Sequence, residues 1–273
     1  ICTEIPNIDL FKIYEYFLNK YSFSAIWEEQ DNMSFVAFDK CKYVSYEGPD
    51  RFKIAKNFNN EIFSNLVDFD GNAHNASLSK VIYFFSFSNK VIDEIDNVSV
   101  PIMEAILPKI LIINDSNKTY LRMNFQFKIN DLSSKIVEEY RLIIYEIIQN
   151  KDYYEDSSLN FSITKFNSKF NSNKKSLIEH ISKGIRLIED GVLKKIVICT
   201  RINFNLDHKL NLIKILKNLK FSQNNSCIYL WHRNHKDVTF GVSPEKLFSI
   251  KKNSLILEAI AGSTSQTLNQ FQL

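Results

Sequence analysis

Glycine and proline are scarce in this chain. Six Gly and 5 Pro in 273 residues exclude a collagen-like or low-complexity polymer, and each one becomes a place where the backbone is expected to turn. Cysteine is equally thin. Cys2, Cys41, Cys199 and Cys227 form no C-x-x-C pair, and a chain of this length can bury a core without disulfide staples. Cys199 and Cys227 sit inside apolar runs, which reads as buried free thiols and a reducing, cytoplasmic location. There is no uninterrupted apolar run of about 18 residues, so no membrane-spanning helix and no membrane partner are expected. No basic-then-apolar segment opens the chain, so no signal peptide is expected. An excess of one charge is missing too. Thirty-four Lys and Arg stand against 31 Asp and Glu, a net +3 that is too small to point to nucleic acid. Arginine occurs only at Arg51, Arg122, Arg141, Arg186, Arg201 and Arg233, and with abundant Asn and Ile this reads as coding bias rather than chemistry. The first residue is Ile1, not Met, as expected of a piece of a longer product.

What is present is ordinary globular patterning. Hydrophobic content of 45% and charged content of 24% fit one large domain or two small ones. Leu10, Ile13, Tyr14, Phe17 and Leu18 are spaced for one face of a helix over 8–21. Residues 33–38 and 43–46 read as two short strands before the Gly48-Pro49 turn. Residues 81–87 and 106–113 are apolar runs of strand length, the second broken near Pro108. Residues 120–129 alternate as a strand should, and 133–150 read as a helix. Residues 151–174 are polar, rich in Asn, Ser and Lys, and read as a surface linker with Phe161, Ile163 and Phe166 available to dock it. The expected division is therefore 1–170, an N-terminal α+β region, and 171–273.

Past the linker the pattern sharpens. Leu177, Ile181, Ile185 and Ile188 mark a helix that Asn173 or Ser176 could cap and Gly191 could end. A strand is expected over 195–204, and an amphipathic helix over 208–219 whose lysines between Lys214 and Lys220 form a solvated face. Short strands follow at 227–231, 238–242, 247–250 and 255–260. Helices and strands cluster rather than alternate, which gives an α+β class with a largely antiparallel sheet flanked by helices.

Three segments could carry chemistry, and each has a plain alternative. Lys195 opens an apolar strand, Lys195-Ile196-Val197-Ile198. It reads either as a surface lysine at a helix–strand junction or as a base, if burial and Lys194 or Arg201 lower its pKa. Ser243-Pro244-Glu245 could start a helix, with Ser as cap and Pro at its first position. The flanking strands leave room for only one tight turn, however, on which Glu245 could serve as a general acid. Ala261-Gly262-Ser263 ends a strand, either as a simple turn or as an anion pocket of backbone N–H groups with a hydroxyl. His232-x-x-His235 lacks a third ligand at suitable spacing and reads as a loop rather than a metal site.

The order and spacing of these segments resemble the chorismate-utilising enzymes, and within them the isochorismate synthases. The resemblance is firm over 175–265 and looser before that, through the strand pattern and the Leu107-Pro108 step. It implies a fold of the chorismate-binding-enzyme type, with 171–273 as the first part of the catalytic domain. It implies that Lys195 activates water for attack at C2 of chorismate and that Glu245 protonates the departing C4 hydroxyl. Gly262 and Ser263 would hold a substrate carboxylate. Ala261, where aminodeoxychorismate synthases commonly carry a nucleophilic Lys, leaves water as the attacking group. The resemblance also implies Mg²⁺, held by acidic residues of a K-D-x-x-E-H segment and a later one. Neither segment occurs before Leu273, so the ligands are expected beyond it and the 273 residues alone are expected to be inactive. The product would feed menaquinone, phylloquinone or siderophore synthesis. A salicylate synthase or another chorismate-utilising enzyme is the alternative within the family, and a non-catalytic binding or structural domain is the alternative outside it.

Overall fold

Two long strands set the architecture, β3 (Ser34–Tyr46), which mixes aromatic, small and polar residues, and β5 (Met103–Asp115), rich in Ile and Leu, and they pair along almost their whole length. The computed structural model describes residues 1–29, 33–68, 78–87, 101–115, 117–127, 134–150, 174–198, 210–222, 226–234, 237–251 and 254–258. The Cα packing divides the chain into two units, Ile1–Ser157 with Leu212–Leu273, and Ser158–Asn211.

The first unit is built on one eight-stranded sheet. Its other strands are β1 (Cys2–Ile5), β2 (Ser24–Glu29), β4 (Ile82–Phe85), β6 (Lys118–Met123), β7 (Cys227–His232) and β8 (Val238–Ser243). The order is β1-β6-β5-β3-β2-β7-β8, with β4 also paired to β5, and every pairing among the described residues is antiparallel. A small hairpin of β9 (Ser249–Lys251) and β10 (Ser254–Ile256) follows. This is the α+β, antiparallel class that the patterning implied.

Two expectations need correction. The segments 33–38 and 43–46 are not separate strands; β3 runs through both with a bulge between Lys40 and Lys42. Asp39, at φ 56°, turns the chain locally just before it. Pro108 does not break its strand either. On one side it faces that bulge, and on the other it falls between Ile106, where β4 pairing ends, and Ile110, where β6 pairing begins. A residue with no N–H is tolerated where the ladder is already interrupted. The Asn124 amide donates to the Pro108 carbonyl at 2.8 Å, which satisfies it.

Alternation divides the sheet into two faces. Ile26, Val36, Phe38, Ile110, Ile112, Ile228 and Leu230 pack beneath α1 (Leu10–Phe17), α3 (Ser134–Gln149) and α5 (Leu212–Ser222). Asp9 caps α1, accepting from the Phe11 N–H at 2.8 Å. The lysines of α5 are not simply a solvated face. Lys217 is buried and pairs with Asp9 at 3.4 Å, and Lys220 pairs with Glu28. Residues that alternate with the first set, among them Ala25, Ala37, Leu111, Ile113 and Trp231, line the opposite face. A further helix, α2 (Arg51–Asn65), buries Ala55, Phe58 and Ile62 against Met103, Ala105 and Leu107. No helix among the described residues is long and apolar enough to cross a membrane.

In the second unit, α4 (Lys174–Glu189) ends where Gly191 takes φ 71° and donates its N–H to the Ile188 carbonyl. That positive φ is the usual reason for glycine just past a helix end. Residues 195–198 then run without a strand partner among the described residues, so the strand expected from Lys195 is not formed over that part. Ile196 lies close against the helix. A Cβ at Gly184 would meet its Cγ2 at 3.2 Å.

Candidate active site

The face of the sheet opposite α1, α3 and α5 carries a cavity of about 1070 Å³, lined by residues of the first unit. Its floor is supplied by β2, β7 and β8, with residues such as Ile26 and Leu230 bordering it as well as the helical core. Cys227, Tyr229 and Trp231 point into it, while Ile228 and Leu230 turn to the helical core. The register makes Tyr229 directly opposite Gly241. A Cβ at Gly241 would sit 2.7 Å from the Tyr229 hydroxyl, so the glycine provides the space that the phenol ring occupies. Phe84 stacks on Trp231, with ring centroids 3.7 Å apart and planes 13° from parallel. The Trp231 indole N–H is buried and has no hydrogen-bond partner among the described residues.

The polar part of the cavity lies where β8 ends. Ser243 is the last residue of β8, and residues 244–248 after it form no helix. The Ser243 hydroxyl donates to the Glu245 carbonyl at 2.9 Å, closing a turn of the kind the flanking strands required. Glu245 is exposed on that turn and lines the cavity, as do Glu258, Lys246 and Glu29. Lys246 forms an ion pair with Glu29 at the end of β2. The hydrogen bond to Glu29 is the first cause of a raised Lys246 pKa, and Glu29, Glu258 and Cys227 add to it electrostatically. Burial first, then Glu29, pushes the Cys227 thiol up to about 12, with Lys246 acting against them.

The other sequence-predicted residues are placed as follows. Lys195 belongs to the second unit, exposed on the extended segment after α4, while Glu245 belongs to the first. Ala261, Gly262 and Ser263 lie outside the described residues, as do Cys199, Arg201 and His235. Cys41 and Cys227 carry half-buried free thiols, and Cys2 is buried. No group of three or more His, Cys, Asp or Glu side chains among the described residues could hold a metal ion. Sequence reasoning missed Glu29, Tyr229, Phe84 and Trp231. The alternation Cys227-Ile228-Tyr229-Leu230-Trp231 held a partial signal, since it sends polar and aromatic groups to the face opposite the aliphatic ones.

Comparison with known proteins gives this geometry a context. A family model described as chorismate binding enzyme matches residues 1–271. The isochorismate synthase MenF of Haemophilus influenzae is 32% identical over 95 residues, which are 34% of this chain and 22% of that protein. The structure of MenF, the menaquinone-specific isochorismate synthase from Escherichia coli, superposes with a TM-score of 0.59 at 13% identity. That superposition covers 91% of this chain and 50% of the E. coli chain. This chain thus spans about half the length of that structure, and the likeness is one of fold.

Proposed function

The chain belongs to the chorismate-binding enzymes, and from that premise we propose that the whole protein converts chorismate to isochorismate in the cytoplasm, within quinone biosynthesis. The observation that carries this reading is Glu245. Its turn is not a helix start, and it stands at the rim of a cavity large enough for a small ring acid. The relatives named above support the choice of isochorismate as product.

In this reading Lys195, as a free amine, takes a proton from water as the water oxygen bonds to C2 of the ring. The double bonds shift, and the C4–oxygen bond breaks. Glu245, protonated beforehand, gives its proton to that oxygen, which leaves as water. One water enters and one leaves, so substrate and product are isomers, and the amine and the acid reset by exchange with solvent. Gly262, Ser263 and Ala261 are assigned to the substrate carboxylate and its surroundings. Mg²⁺ belongs to the proposal through the family resemblance alone, and no step here passes through it. The partner is a small molecule, with no role for nucleic acid or a membrane. The division at 170/171 remains part of the same proposal.

The test is an assay of the full-length natural protein with chorismate and Mg²⁺. Isochorismate should form, and Lys195→Ala and Glu245→Ala should each lower kcat by about 10²–10⁴-fold, the usual contribution of a general acid or base. Fluorescent salicylate as the end product would point instead to a salicylate synthase. No turnover, with both variants indistinguishable from the parent, would favour a non-catalytic binding domain; turnover that both variants retain would overturn the roles given to Lys195 and Glu245.

A further inference from the structure

A general acid on an irregular turn works only if the turn is held still. The residues from Pro244 to Phe248 belong to no helix or strand, and the Ser243 hydroxyl fastens only one side of Glu245. The register of the sheet supplies the other side. Glu29 of β2 is directly opposite Cys227 of β7, and Cys227 is directly opposite Ser243 of β8. Directly opposed residues share a face, so Glu29, Cys227 and Ser243 form one row across three strands at the same end of the sheet. Two strand spacings, about 9–10 Å, separate Glu29 from Ser243. Lys246, three residues beyond Ser243, reaches back over that span to pair with Glu29.

We propose that Glu29 and Lys246 form a clamp across the end of β7 that positions the neighbouring Glu245 carboxyl for proton transfer. The two are positioning residues, since neither is assigned a contact with the reacting atoms. The proposal rests on the reading of Glu245 as the general acid.

Three observations carry it. The clamp sits beside the acid it serves, because Glu245 lies between the Ser243 hydroxyl bond and the Lys246 ion pair. Both partners are half-buried, with Lys246 27% and Glu29 19% exposed, so the pair is screened somewhat less than a fully exposed bridge. Finally, Glu28 and Glu29 are consecutive and therefore point to opposite faces. Glu28 meets Lys220 of α5 on the helical side, and Glu29 meets Lys246 on the cavity side. The end of β2 thus ties down a helix with one carboxylate and a site turn with the next. Misplacing a reacting group by about 1 Å can cost about 10²-fold in rate, which sets the expected scale. Among the described residues, Glu258, Cys227 and Glu245 itself are charged or titratable groups beside the clamp.

Kinetics of the full-length protein with chorismate test the clamp. Glu29→Gln and Lys246→Met should each lower kcat by about 10–100-fold with KM nearly unchanged. Lys246→Arg should retain most of the activity, and the swapped pair Glu29→Lys with Lys246→Glu should regain at least tenfold over either of its single changes. Lys246→Met added to Glu245→Ala should cost nothing further, because the clamp acts only through that acid. If Glu245→Ala itself leaves kcat at the parental value, the reading of Glu245 fails. If Glu245→Ala is damaging but Glu29→Gln and Lys246→Met are not, the clamp alone fails.

A second readout needs no turnover. Lys246 lowers the Cys227 thiol pKa, so loss of its charge alone would slow alkylation of Cys227 by iodoacetamide. Release of the turn above Cys227 would expose the thiol and speed the reaction. The clamp predicts that Lys246→Met is alkylated at Cys227 several-fold faster than the parent, read site by site by mass spectrometry. A slower or unchanged rate would overturn it.

Discussion

Gly241 and Tyr229 show how one missing side chain shapes the cavity floor. The phenol of Tyr229 lies over the bare Cα of its cross-strand partner, and the two nearest atoms to an added Cβ would be the hydroxyl at 2.7 Å and Cζ at 3.0 Å. Gly241→Ala should therefore push the ring aside and destabilise the protein by about 1–3 kcal/mol, as overpacking does. Tyr229→Phe removes the closest atom, so it should recover part of that loss in a double-mutant cycle read by urea unfolding. Additive losses would mean that the ring is not what the new methyl meets. At this scale the sequence was partly legible. A Ser-Pro-Glu turn squeezed between two strands announces a presented carboxylate, because a helix could not fit there. Glu29 could not be found the same way. Nothing in Trp27-Glu28-Glu29 distinguishes it from a solvated acid, and its partner is 217 residues away in the chain (246 minus 29).

Among the elements, α1 is the one whose sequence said most. Its apolar spacing located it, and Asp9 supplies the cap that spacing alone does not reveal. Asp9 has two jobs: Oδ1 accepts from the Phe11 N–H, and Oδ2 pairs with Lys217. Asp9→Ala loses both and should cost about 1–2 kcal/mol, near the upper end for an N-cap. Asp9→Asn keeps the cap oxygen and loses only the pair, so its cost in urea unfolding should be clearly smaller. Equal costs for the two variants would show that the cap contributes nothing. The strands were harder. Residues 33–46 look like two strands because Asp39 and Lys40 interrupt the apolar pattern, and only the bulge explains how one strand absorbs them. Pro108 misled in the same way, since a proline is read as a break unless the neighbouring ladder is known to be interrupted there. β1, β2 and α2 gave no clear periodic signal: two are short, and α2 buries only Ala55, Phe58 and Ile62.

The whole molecule depends on pairings that no local pattern contains. β2 joins β7 from Ser24↔His232 to Glu29↔Cys227, so the sheet is completed only when residues about two hundred positions apart meet. The burial this achieves has a consequence at high pH. Tyr14 is buried between α1 and the sheet, its hydroxyl 2.8 Å from Ser24 Oγ. Burial raises its pKa well above the ordinary tyrosine range, against a smaller lowering by the Ser24 hydrogen bond. Burial likewise pushes Tyr21 up to about 12, with help from Asp39 and Glu139, and Cys41 up to about 11. A raised pKa means that the folded state holds its proton to higher pH than the unfolded chain does. The stabilisation is complete below the unfolded value and is lost as pH rises toward the folded one. Lys20 and Lys80 work the other way, because their pKa values are lowered by burial, so the total slope mixes both signs. Comparison with Tyr14→Phe isolates one contribution. At pH 8 the variant should be less stable by about 1–3 kcal/mol, since the Ser24 hydroxyl is left without its partner. Above pH 10 the unfolded parent ionises Tyr14 while the folded parent resists. The parent should then lose up to about 1.4 kcal/mol per pH unit relative to the variant. Urea midpoints at pH 8 and pH 11 should therefore converge, and a gap that stays constant between them would show that the Tyr14 hydroxyl titrates alike in both states and is not sealed from water.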